Sequence, residues 1–264
     1  MPANLRVYKG KLMKYALLIA YDGTEYGGWQ IQKNAVTVQE KITCALEQVL
    51  GFKVSVTASG RTDSGVHAAA QVCHFTADCS VPPERIADAV NVYLPDDIRV
   101  LQSAQAPEDF DAVNSAKRKT YCYRVYLSKR NNPLKDRYAV NIKHAVNFEK
   151  LVYVAKMFEG EYDFKAYCAA GSQVKTTVRT IYSVEVKTRE FRGSTDVEIY
   201  VTGNGFLYNM VRTLAGTMLD FAAGRLEERD IINSLEKGDR NSVGKTMPPQ
   251  GLTLENVDYG IKLF

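Results

Sequence analysis

One carboxylate stands out among the residues that could do chemistry. Asp63 sits in A-S-G-R-T-D-S-G-V-H-A (58–68), with Arg61 two positions before it and Gly60 and Gly65 on either side. Small residues around an Asp serve two different ends. The side chain can bond nearby backbone N–H groups and hold a turn, which is the commoner use. Alternatively, the glycines clear room for a substrate to reach a nucleophile. A carboxylate attacks an electrophilic sugar carbon in retaining glycosidases, provided that it is ionised and aimed. A nearby arginine supplies both conditions, lowering the pKa by its charge and fixing the oxygens by paired hydrogen bonds. A glycosidase also needs a second carboxyl as general acid. Asp22 and Glu25, in Y-D-G-T-E-Y-G-G-W-Q (21–30), are the candidates for it. On the loop alone, the turn-forming Asp is the favoured reading.

Two further stretches carry chemistry-bearing residues. Between 117 and 137 lie Lys117, Arg118, Lys119, Arg124, Lys129, Arg130, Lys135 and Arg137 against a single acid, Asp136. That segment carries +7 while the whole chain carries +4, so the remainder is −3. Tyr121, Tyr123 and Tyr126 are interleaved with the charges, which suits a phosphate backbone with exposed bases. A solvated strand and loop is the plain alternative. In G-N-G-F-L-Y-N-M-V-R-T-L-A-G (203–216), Arg212 lies beside an apolar stripe of Leu207, Met210, Val211, Leu214 and Met218. An Arg so placed reaches water or pairs with a carboxylate.

The rest of the composition narrows the classes. Cys44, Cys73, Cys79, Cys122 and Cys168 form no C-x-x-C pair, and His67, His74 and His144 have no ligand spacing. Neither a metal nor a disulfide framework is expected. Hydrophobic content of 45% and charged content of 24% fit a soluble globular chain. No apolar run has the length of a bilayer span, and the N-terminus lacks the apolar core of a signal peptide. The cytosol is the expected compartment.

The elements that must position these residues follow from periodicity. Strands are expected over 14–21, 53–59, 69–75 and 97–103, and helices over 38–50, with Thr37 as N-cap, and 83–92. Trp29, in the glycine-eased corner after the first strand, is expected in the core. A second pass gives a strand over 119–128, a helix over 148–158 and a hairpin of 179–187 with 196–202. Helices over 206–223 and 228–235 and a last strand over 252–259 complete it. Both passes read β-α-β-β-α-β, the ferredoxin-like order. Two ferredoxin-like halves, 1–113 and 114–264, are therefore expected to form one extended antiparallel sheet, with helices on one face and a central cleft.

Taken together, the motifs resemble the TruA family of tRNA pseudouridine synthases from Lys14 to Tyr259. The marks are Y-D-G-T-x-Y-x-G-W-Q (21–30), T-V-Q (37–39), G-R-T-D-S-G-V-H-A (60–68) and Q-V-x-H-F (71–75). N-V-Y-L-P-D-D-I (91–98), Y-C-Y (121–123), F-L-Y-N-M-V-R (206–212) and P-P-x-G-L-x-L (248–254) complete the set. The resemblance implies Asp63 as nucleophile toward ribose C1′ or uracil C6, in a reaction that uses no cofactor. It implies Tyr121 stacking on a flipped uracil, Arg212 pairing with Asp63, and Arg61, Lys117, Arg118 and Lys119 contacting RNA. It also implies the anticodon stem-loop of tRNA, at positions 38–40, as target, and a homodimer as the acting form. A catalytically lapsed tRNA-binding or chaperone paralogue is the alternative. The family's F-H-A-R stretch is Phe110-Asp111-Ala112-Val113 here, its G-x-H-D-F element has Tyr162 for His, and Ser59 and Ser64 replace small alanines.

Overall fold

The computed structural model describes residues 12–169, 171 and 174–264. Ten strands form one sheet. In chain order the first elements are β1 (Met13–Tyr21), α1 (Val38–Leu50), β2 (Thr57–Ala58), β3 (His67–Ala77), α2 (Ile86–Asn91) and β4 (Ile98–Gln105). There follow β5 (Arg118–Leu127), β6 (Val140–Ile142), α3 (Phe148–Met157), β7 (Gly160–Asp163), β8 (Val178–Phe191) and β9 (Ser194–Gly203). The chain ends with α4 (Met210–Ala222), α5 (Glu228–Glu236) and β10 (Leu252–Asp258).

The strand order is β4-β1-β3-β10-β5-β9-β8-β7, with β2 also on β3 and β6 also on β5. Each half therefore has the ferredoxin-like arrangement: β4-β1-β3-β2 in the first and β10-β5-β9-β8 in the second. The pairing is antiparallel except for β10 with β3 and β5 with β6. The parallel pair is the seam where the halves meet, because β10 also runs antiparallel to β5.

Alternation makes one face of this sheet apolar. Tyr15, Leu17 and Ile19 of β1, Tyr123 and Val125 of β5, and Val197, Ile199 and Val201 of β9 are all buried. The helices cover this face, α2 against β4, α3 against β8 and α4 against β5. The caps match the sequence: Thr37 accepts from the Glu40 N–H at 3.3 Å, and Gly51 ends α1 in the left-handed region (φ 78°). Trp29 is buried in the core.

Three expected elements are cut back. The strand over 53–59 shrinks to Thr57–Ala58, which pair with His74 and Cys73 of β3. The helix expected from 206 starts at Met210, because Asn209 takes a left-handed backbone (φ 61°) that the helix cannot include. The helix over 83–92 opens with a 3-10 turn at Pro83–Arg85 before Ile86–Asn91. The short strands β6 and β7 have too few residues to show a period.

Candidate active site

The Asp63 loop is held from every side except at its carboxylate. Val66 N–H donates to the Asp63 carbonyl (3.1 Å), Trp29 N–H to the Thr62 carbonyl (3.1 Å) and Gly65 N–H to the Tyr26 carbonyl (3.3 Å). The Thr62 and Tyr21 hydroxyls are 2.8 Å apart. Buried Gln71 donates to the Gly60 carbonyl (3.0 Å) and accepts from the Ser59 hydroxyl (2.6 Å). The loop after β1 presses against it so closely that a Cβ on Gly23 would stand 2.0 Å from the Val66 carbonyl oxygen. This explains why glycines recur in both motifs.

These bonds separate the two readings of Asp63. Asp22 and Asp111 do hold turns: Asp22 accepts from the Thr24 N–H, and Asp111 from the N–H groups of Val113 and Asn114. The Asp63 turn is closed by its carbonyl, and the side chain bonds no backbone N–H among the described residues. Its partner is Arg212, whose Nη1 lies 3.6 Å from Oδ2. The contact is single and long, not the paired bonding expected of an arginine at this position.

Arg212 is itself aimed by the second half. Its Nε donates to the Met247 carbonyl (2.7 Å) and its Nη1 to Oδ1 of Asn209 (2.6 Å). The left-handed backbone of Asn209 turns its side chain toward Arg212 instead of capping its own helix. Burial raises the pKa of Asp63, and the charge and hydrogen bonding of Arg212 offset this only in part, leaving a net upward shift. The expected lowering is thus reversed in sign by burial.

Asp63 opens into a cavity of about 870 Å³ between the halves. Arg61, Thr62 and Ser64 line it from the first half, and Tyr121, Phe206, Asn209 and Leu252 from the second. Asp63 is the sole carboxylate among the described lining residues. The Tyr121 ring meets Phe206 edge-on, centroids 5.2 Å apart at 88°. Burial raises its phenol pKa, and the nearby Tyr21 and Asp63 add to the effect.

Asp22 does not supply a second carboxyl. It lines a separate cavity with Arg124 and Thr253. There it accepts from Arg137 Nε (2.6 Å) and the Tyr138 hydroxyl (2.8 Å), clamping the basic loop of the second half onto the first. Glu25 is exposed and lines neither cavity.

The basic residues are placed unequally. Arg61 is exposed at the cavity wall. Lys117 is exposed, and Arg118 lies over the Tyr182 ring at 5.0 Å. Lys119 turns inward and donates to the Ser59 carbonyl (2.6 Å), beneath the Asp63 loop. Val113 is exposed where the related pattern has a basic residue, and Phe110 is packed edge-on against Tyr259. Periodicity did not reveal Asn209, Met247, Gln71 or Phe206. The polar Asn and Gln inside otherwise apolar motifs were the available signal.

A family model described as tRNA pseudouridine synthase matches residues 17–113 and 154–260. A protein of Ruminiclostridium cellulolyticum named tRNA pseudouridine synthase A is 45% identical over 94% of this chain and all of its own length. Proteins of the same name from Caldicellulosiruptor bescii and Bacillus subtilis are 42% and 41% identical, over 92% and 94% of this chain and 98% and 99% of theirs. A solved structure titled "Crystal Structure of a Cbf5-Nop10-Gar1 Complex" is 16% identical, with a TM-score of 0.36 over 78% of this chain and 45% of that one. With a lone, partly buried carboxylate facing an aromatic ring across the seam, and relatives matching nearly end to end, the chain belongs to the tRNA pseudouridine synthase family.

Proposed function

We infer that this protein isomerises uridine to pseudouridine in tRNA, with Asp63 as the nucleophile. The observation that carries the reading is the carboxylate left free of its own turn and aimed, with Arg212, into a cavity lined by Tyr121. Asp63 attacks ribose C1′ or uracil C6, the N-glycosidic bond breaks, and the uracil turns within the pocket. C5 then joins C1′, the bond to Asp63 breaks and frees the carboxylate, the C5 proton leaves and N1 gains one. The detached base is the acceptor, so a second catalytic carboxyl is not required.

The target uridines lie in the anticodon stem-loop, at tRNA positions 38–40. Flipping such a base out costs about a few kcal/mol, and stacking on an aromatic ring returns roughly 1–3 kcal/mol. Tyr121 supplies that ring, Arg212 orients the carboxylate, and Arg61, Lys117 and Arg118 contact the RNA backbone. The acting form is a homodimer in the cytoplasm.

The test is Asp63→Asn with unmodified tRNA. Chemical mapping should find no pseudouridine, and tritium release from uracil-5-labelled tRNA should stop while RNA binding persists. Unchanged product overturns the assignment.

A further inference from the structure

Two cations beside the cavity stand outside every ion pair among the described residues. Lys119 and Tyr121 share one face of β5, and Lys119 pairs across to Gly203 of β9, which pairs in turn with Ile181 of β8. Arg179, two residues before Ile181, points to that same face. Its Nε would stand 3.7 Å from a Cβ on Gly205, and the Phe206 ring lies 3.2 Å from the Cβ position of Gly203. Lys119 and Arg179 thus flank the glycine segment 203–205 that delivers Phe206 to Tyr121.

Neither cation forms an ion pair with a carboxylate among the described residues. Lys119 donates to the Ser59 carbonyl, and Arg179 Nη1 to the carbonyls of Thr176 (2.9 Å) and Val178 (2.6 Å). The nearest acids along the strands, Glu161 and Asp163, pair with Thr180 and Val178 on either side of Arg179, and so lie on the opposite face. Lys175 adds positive charge and the sequence has no acid between 164 and 184. Surface cations normally extend into water. These two are half-buried and lie near enough to each other that Arg179 joins burial in lowering the Lys119 pKa. Like charges drawn together without a counterion are stabilised by an incoming anion.

We propose that Lys119 and Arg179 form a subsite for one backbone phosphate of the RNA, adjoining the nucleotide that enters the Asp63 cavity. Lys119 retains two N–H donors after bonding Ser59, and Arg179 retains those on Nε and Nη2. Filling the subsite ties the RNA backbone to the Ser59–Gly60 segment, and so fixes the sugar relative to Asp63. The proposal rests on the RNA substrate argued above.

A binding cycle on the Asp63→Asn protein tests it without turnover. The probes are a tRNA stem-loop and a set of copies with one linkage each neutralised as methylphosphonate. Arg179→Gln should weaken binding of the unmodified RNA about tenfold and reduce the slope of log K against log salt by about one. At one linkage beside the target uridine, neutralisation should weaken the parent protein but not the Arg179→Gln protein. Losses that add at every linkage would overturn the subsite, as would an unchanged affinity of Arg179→Gln. Failure of the parent protein to bind any of the RNAs would instead overturn the RNA substrate itself.

Discussion

Asp63 works against the fold at neutral pH, and two consequences follow. Its pKa is raised by burial, so the folded chain holds this proton more tightly than the unfolded chain does. Ionisation therefore removes stability as pH rises through the raised value. Asp63→Asn should have a melting temperature equal to or above that of the parent at pH 7, and a clear drop would contradict this account. As the proposed nucleophile Asp63 must be ionised, so the acid limb of kcat/KM should lie above the ordinary carboxylate range. Arg212 opposes the upward shift. Arg212→Gln should therefore move that limb to still higher pH, while Arg212→Lys keeps it near the parent position. Equal limbs in all three proteins would show that Asp63 is not the group being titrated. The sequence exposed the loop and the arginine but not the sign of the shift. Burial depends on the second half closing over the loop, more than a hundred residues away in the chain.

At the scale of elements, local signals were legible and distant approaches were not. Thr37, the 38–50 apolar spacing and Gly51 define α1 from its own residues, and the helix forms where they say. The start of α4 was misplaced because Asn209 serves Arg212, a contact set by tertiary geometry. Neither the Asp22–Arg137 clamp, spanning 115 positions, nor the grip of the Met247 carbonyl on Arg212 leaves any periodicity. That grip depends on a close approach. A Cβ on Gly216 of α4 would stand 2.0 Å from the Lys245 carbonyl oxygen. Gly216→Ala must push segment 244–247 off the helix, at a cost of about 1–3 kcal/mol. It should lower kcat as well as stability, because Met247 moves with the segment. Gly51→Ala is the control: no atom lies within 4 Å of its Cβ position, but its φ is 78°. It should cost about 1 kcal/mol through the backbone alone and leave kcat per folded molecule unchanged. Equal kcat for both variants would separate the 244–247 segment from Arg212.

The whole molecule hangs on its last strand. β10 pairs with β3 of the first half at Thr253 and Leu254, and with β5 of the second half from Leu252 to Asp258. The cavity lies at this seam, since Leu252 lines it and Leu254 pairs with both Ala68 and Tyr121. The sequence suggested two similar halves but not this stitching, because a strand joining residues about 186 positions apart looks locally like any other. Two ferredoxin-like halves with a weak junction would unfold separately. A shared strand instead couples them, since losing β10 strips an edge from each. The chain has one tryptophan, Trp29, buried in the first half, so its fluorescence reports on that half while far-UV circular dichroism reports on both. In denaturant the two signals should trace one coincident transition. Leu254 is 1% exposed, and Leu254→Ala should cost about 2–5 kcal/mol. It should move both curves together, because the damage lies in the strand they share. If the tryptophan transition separated from the dichroism, the halves would be independent, and the seam would not hold Asp63 in register with Tyr121 and Arg212.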